Sequence, residues 1–171
     1  TWVVLSAPGS RSQEARRSAR ALLRGAERVD IVLGDFEDAR LPAEFGRAKT
    51  FFSDLRRRVD PDVIFTHRLE DRPQDHRLVS ELTWQTWRDH LIMEYEIPKY
   101  EGDLGHPNLF VPLERALADR KIRHLMKHFG SQRSKEWFHD GTFRSLMQLR
   151  GIECRAPSGL AEAFTVRKAI L

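Results

Sequence analysis

The chain has 171 residues, 40% of them apolar and 32% charged, and a net charge of +4. That is enough for one α/β domain with a real core and short for two, so 1–171 is read as a single domain. No run approaches the roughly 18 apolar residues of a membrane-spanning helix. The one cysteine, Cys154, excludes an internal disulfide framework and a cysteine-built zinc cage, and a reducing cytoplasm is the expected compartment. The pI near 9.6 raises the question of nucleic acid. The arginines, however, alternate with acids along helical stretches such as Arg11-Ser-Gln-Glu-Ala-Arg-Arg17. They lack the interleaved aromatics of single-strand binders, so we read solvated helix faces and no nucleic-acid partner.

The opening Trp2-Val-Val-Leu5 is a strand that starts in progress, which leads us to expect residues upstream. Ala7-Pro-Gly-Ser10 turns into a helix over 11–24, with Ser10 or Ser12 as N-cap and Ala15, Ala19, Leu22 and Leu23 on one face. Gly25 ends it. Val29-Asp-Ile-Val-Leu33 is a second strand and Gly34-Asp-Phe-Glu-Asp38 its carboxyl-end loop. A helix over 45–59 leads through Pro61 to a strand at 63–66. A third helix begins at Gln74 or Asp75 and runs to about His90. Further strands are expected at 92–97 and 108–112, helices at 113–129 and 142–150, and a closing strand at 162–170. Compact apolar strands alternating with helices imply a parallel sheet covered on both faces. Ligands of such sheets bind in the crevice at the strands' carboxyl ends. That places Ser6-Ala-Pro-Gly9, Gly34-Asp-Phe36 and the stretch from His67 onward where chemistry is expected.

That last stretch, His67-Arg-Leu-Glu-Asp-Arg-Pro-Gln-Asp-His76, carries two histidines and three carboxylates. A neutral imidazole suits zinc, and a neighbouring carboxylate can orient it or move protons. The alternative reading of Asp75-His76 is an Asp at a helix start followed by a surface histidine.

In context the stretch resembles the last metal motif of the PIG-L/LmbE family of zinc-dependent N-acetylglucosaminyl de-N-acetylases, a loop reading His-x-Asp-His that runs straight into a helix. Leu5-Ser-Ala-Pro-Gly9 with Arg11-Ser-Gln-Glu14 resembles the family's second strand and Arg-x-x-Glu helix. Lys121 through His128 to Ser131-Gln132 resembles its late Lys…His-x-Ser-Gln segment, and Ala161-Glu-Ala-Phe164 its terminal strand. The resemblance implies a Rossmann-like α/β fold, a mostly parallel sheet with helices on both faces, and hydrolysis of an N-acetyl group on an amino-sugar conjugate. It implies His76 as metal ligand and Asp75 as the catalytic or orienting carboxylate. Arg11 and His67 fall on the substrate side. Arg11 could instead pair with Glu14, and His67 could make a structural hydrogen bond; Glu162 is read as structural.

Two departures shape the expectations. The family's first motif, His-x-Asp-Asp after a central first strand, supplies two metal ligands and the base, and no segment before Thr1 is present to carry it. The first histidine of His-x-Asp-His is replaced by Pro73. We therefore expect the central first strand to be missing, zinc binding that is weak or absent in this chain, and an inactive fragment. With strand order 3-2-1-4-5, the strands at 2–5 and 63–66 should stand about 9–10 Å apart or collapse onto each other. The alternative function is a non-catalytic Rossmann-like module binding a sugar or nucleotide-sugar. A nucleotide-dependent enzyme ranks last, because no Gly-x-Gly-x-x-Gly or Walker loop occurs.

Overall fold

The computed structural model describes residues 1–169. The first half alternates strand and helix: β1 (Trp2–Val4), α1 (Ser10–Leu22), β2 (Ile31–Leu33), a 3-10 turn (Leu41–Glu44), α2 (Phe45–Arg58), β3 (Val63–Thr66) and α3 (Gln74–Thr86). The second half adds β4 (Leu91–Tyr95), β5 (Leu109–Pro112), α4 (Arg115–His128), a short 3-10 turn (Gly130–Gln132), α5 (Asp140–Glu153) and β6 (Ala161–Thr165). β1 pairs in parallel with β2 (Trp2↔Ile31), and β3 in parallel with β4 (Val63↔Leu91). β6 lies antiparallel between β4 and β5. The α/β class with helices packed on a mostly parallel sheet is thus present, with an antiparallel arm at one side.

The pairing falls into two sheets, β1-β2 and β3-β4-β6-β5. Among the described residues β1 and β3 share no ladder, and both line one large cleft of about 1340 Å³. Of the two arrangements expected for these strands, the structure has the one that keeps them apart. Around the cleft, Leu41, Phe52, Leu55, Leu78, Leu82, Trp87 and Ile92 form one apolar cluster beneath α2 and α3. Leu113, Ile122, Phe138, Phe143 and Met147 form a second between α4 and α5.

Several boundaries differ from the periodicity, each for a local reason. Gly9, at φ 57°, caps α1 without a side-chain bond. Ser12 Oγ donates to the Gly9 carbonyl at 2.9 Å, so neither serine acts as the expected cap. α3 ends at Thr86 because the Trp87 indole turns into the core, 4% exposed. β4 stops at Tyr95, where Glu96 leaves the sheet to meet Arg150 (Nε–Oε2 2.8 Å). β6 ends at Thr165; of the expected strand to Ile170, the last residue lies outside the described residues. Gly34 is required where β2 exits over β1, since a Cβ there would lie 2.6 Å from the Leu5 carbonyl oxygen.

Candidate active site

His67 directly follows β3 and His76 sits in the first turn of α3. Their rings stack, centroids 3.9 Å apart and planes inclined by 14°. Asp71, 4% exposed, comes from the loop between the two histidines and places Oδ2 3.1 Å from His76 Nδ1 and 3.8 Å from His67 Nδ1. The three donor atoms lie within 4.8 Å of one another, a set that could hold a metal ion. Its chemistry, two imidazoles and a carboxylate, suits a divalent transition metal. Orientation assigns the parts. In-plane lone pairs of two nearly parallel rings do not converge on one point, and at 3.1 Å the Asp71–His76 contact is a hydrogen bond. Asp71 therefore fixes His76 with its proton on Nδ1 and its lone pair on Nε2, as carboxylates behind metal-bound histidines do.

His76 Nε2 faces Lys99 Nζ at 3.4 Å. Burial pushes the Lys99 ammonium below the usual lysine range, with the Lys135 charge adding to this against the opposing pull of Glu101. Burial also drives His67 down to about 3, helped by the neighbouring His76 and Lys99 charges. His67 is thus a neutral imidazole at physiological pH. Its Nε2 lies 3.4 Å from the Tyr95 hydroxyl, and its Nδ1 has no hydrogen-bond partner. Burial pushes the Tyr95 phenol up, so it is a fixed neutral neighbour.

Asp75, in the first turn of α3, engages the segment that precedes α2. Its two oxygens accept the backbone N–H groups of Ala39 (2.8 Å) and Leu41 (3.1 Å), tying the 37–41 loop to the start of α3. Pro73 forms the helix cap and offers no side-chain group. Arg11 pairs with Asp38 at 2.7 Å rather than with Glu14. Glu14 accepts from the backbone and hydroxyl of Ser131 at 2.9 and 2.6 Å, which joins α1 to the turn after α4. Glu162 forms an ion pair with Lys121, the structural role expected of it. His128 lies beside His124, whose Nε2 meets Ser18 Oγ at 2.9 Å across the α1–α4 contact.

A second cavity of about 530 Å³ opens next to His67. Arg11, Lys99, Lys121, Trp137 and Phe143 are among its walls. Concave, mostly apolar and with a few convergent polar groups, it has the character of a small-molecule site. Sequence reasoning named His67, His76 and Arg11 in this region and missed Asp71 and Lys99. Asp71 is one of three carboxylates between His67 and His76, and the path of the loop decides which of them meets His76. Lys99 lies 23 residues on in an irregular loop and carried no motif.

The sequence profile of the PIG-L family, described as GlcNAc-PI de-N-acetylase, matches residues 5–87. A search of curated proteins finds no match. Among solved structures the chain is similar to GalB, the 4-carboxy-2-hydroxymuconate hydratase of Pseudomonas putida, with a TM-score of 0.74 and 17% identity over 95% of this chain and 72% of that one. It is similar to the conserved protein TT1542 of Thermus thermophilus, with a TM-score of 0.67 and 16% identity over 99% and 81%. The N,N'-diacetylchitobiose deacetylase of Pyrococcus horikoshii aligns with a TM-score of 0.66 and 19% identity over 91% of this chain; the chain spans 62% of that protein's length. At these identities the structural likeness speaks to fold, and a hydratase shares it, so chemistry must be argued from the site. Kinship in sequence rests on the profile alone: residues 5–87, from the end of β1 through α3 with its His76, match the model of the PIG-L family.

Proposed function

We propose that this chain carries part of the active-site framework of a de-N-acetylase for an N-acetylglucosamine-type sugar conjugate, in a cytoplasmic protein. The observation that carries the reading is the Asp71–His76 pair, which leaves His76 Nε2 oriented at the carboxyl end of β3. His76 would hold the zinc ion there. Zinc, when bound, polarises an amide carbonyl and acidifies a water molecule. The chain's own residues do the rest of what is present: Asp71 holds the His76 tautomer, and neutral His67, stacked on His76, forms part of the pocket wall against which a substrate would lie. Arg11 presents its guanidinium at the pocket mouth. Asp75 supports this arrangement through the loop it anchors.

Catalytic zinc normally takes three protein ligands, and proton transfer needs a base within hydrogen-bond reach of the water. Asp71 is committed to His76, and Pro73 supplies no acid–base group. Zinc should therefore bind weakly and deacetylation should be undetectable. A second reading, a non-catalytic sugar-binding module, is favoured by Pro73 and by Lys99 standing against His76 Nε2. Zinc titration beside an amine-release assay on N-acetylglucosamine conjugates separates the two. Weak zinc uptake that disappears in His76→Ala, with no amine release, is expected. Uptake indifferent to His76→Ala would remove His76 as ligand and favour the binding module. Amine release above buffer would reveal a base among the residues present.

A further inference from the structure

The cations of the helices divide into two groups in the fold. On α2, Arg47, Arg56, Arg57 and Arg58 each face a carboxylate, those of Glu44, Asp60, Asp54 and Asp30. On α1 and α4 the case is reversed. Arg16, Arg17 and Arg20 of α1 and Arg120, Arg123 and Lys127 of α4 are exposed. None of them has a carboxylate within ion-pairing distance among the described residues. Each of these helices holds one acid of its own, and each acid is engaged elsewhere, Glu14 with Ser131 and Asp119 with Arg144. Arg17 and Arg123 act on these two acids only through space. The alternation of arginines and acids along the sequence therefore does not become neutralisation in the fold.

α1 and α4 lie side by side and antiparallel, since Ser18 meets His124 while Glu14, one turn earlier, meets Ser131 beyond the end of α4. At about 100° per residue, the three arginines of α1 span an arc of about 100° and the three cations of α4 one of about 60°. Counted from Ser18 and from His124, both arcs turn away in the same rotational sense, which in antiparallel helices brings them to one side of the seam. Like charges gathered on one face repel one another unless salt or an anionic partner screens them. Neither helix carries an aromatic residue on which a base could stack. Leu22 and Leu117, at the end of the seam where α1 stops and α4 starts, are 47% and 42% exposed. Cations beside uncovered leucines suit the headgroup layer of a bilayer, where each Lys or Arg adds attraction without a matched geometry. We propose that the α1–α4 face docks the protein on an anionic lipid surface, the charge borne by the cytoplasmic leaflet. The inference concerns where the protein works rather than what its site hydrolyses, and it stands apart from the deacetylase reading.

Vesicle cosedimentation of the chain tests it. Partition into phosphatidylserine-containing vesicles should exceed that into pure phosphatidylcholine by about 10-fold or more, and should fall toward the phosphatidylcholine level as salt is raised. Arg20→Glu with Arg123→Glu should remove the preference, and Arg20→Lys with Arg123→Lys should keep it. Arg56→Glu with Arg57→Glu makes the same change in net charge on α2 and should keep it as well. Far-ultraviolet circular dichroism checks that each variant folds. A short DNA duplex, followed by fluorescence anisotropy, serves as the competing polyanion. Equal partition into the two kinds of vesicle, equal loss in the two charge-reversed pairs, or tighter binding of the duplex than of phosphatidylserine vesicles overturns the proposal.

Discussion

At the scale of single residues, His67 shows how placement sets chemistry. Stacked on His76 and covered by Tyr95, it has its pKa lowered to about 3 by burial first and by the neighbouring His76 and Lys99 charges second. An unfolded histidine titrates near 6.5. Between about pH 6.5 and 3 the unfolded chain takes up a proton that the native chain refuses, so this residue makes stability rise with pH across that window and fall on acidification. Each pH unit below 6.5 can cost up to about 1.4 kcal/mol through this group. Urea midpoints measured from pH 7 to 4 should therefore drop more steeply in the native chain than in His67→Phe, which keeps a ring in the stack and removes the titration. Parallel slopes for the two proteins would mean that His67 is protonated in the fold and that the site is more open to water than its burial indicates.

At the scale of elements, Asp75 is a tether. Ala39 holds a left-handed backbone, φ 62°, which costs a residue with a Cβ roughly 1–2 kcal/mol, and its N–H is bonded to the Asp75 carboxylate. Removing that acceptor leaves two backbone donors to find water, so Asp75→Ala should destabilise by about 2 kcal/mol. Ala39→Gly in the same chain should recover about half. Thermal or urea unfolding of the three proteins measures this. An unchanged midpoint in Asp75→Ala would return the carboxylate to a catalytic role. The same helix marks what could be read from sequence. The apolar run at 63–66, the turn at Pro73 and the spacing of Leu78 and Leu82 give β3 and the start of α3, while the helix ends at Thr86, short of the expected His90. They also give His76 its position at a sheet's carboxyl end. Which carboxylate faces its ring was not legible, because Asp71 and Asp75 differ only in the path of the loop between them. The antiparallel β6 was equally hidden: buried Glu94 in β4 reads as a polar interruption, and only Arg167 (2.7 Å) and the Trp84 indole (2.7 Å) make its burial tolerable. Those partners lie 73 and 10 residues away, beyond any local pattern.

At the scale of the whole molecule, the fold is defined by two sheet edges. β1 bonds only to β2 and β3 only to β4 among the described residues, and their other edges face the cleft between them. Each edge presents backbone N–H and C=O groups with the spacing of a strand, beside apolar side chains such as Val63 and Phe65 that are 39% and 58% exposed. Unprotected edges of this kind template pairing with another chain, and natural proteins blunt them with charges or cover them. Nothing charged projects from β1 or β3, whose residues are Trp2-Val-Val4 and Val63-Ile-Phe-Thr66. The chain in isolation should therefore self-associate through these edges, its sedimentation coefficient rising across the micromolar range. Val63→Lys, which sets an ammonium on the exposed face of β3 without entering the core beneath Ile64, should lower the association and leave the far-ultraviolet circular dichroism unchanged. A native chain that sediments as a monomer at every concentration would mean that the facing walls satisfy one another in solution, closing the cleft.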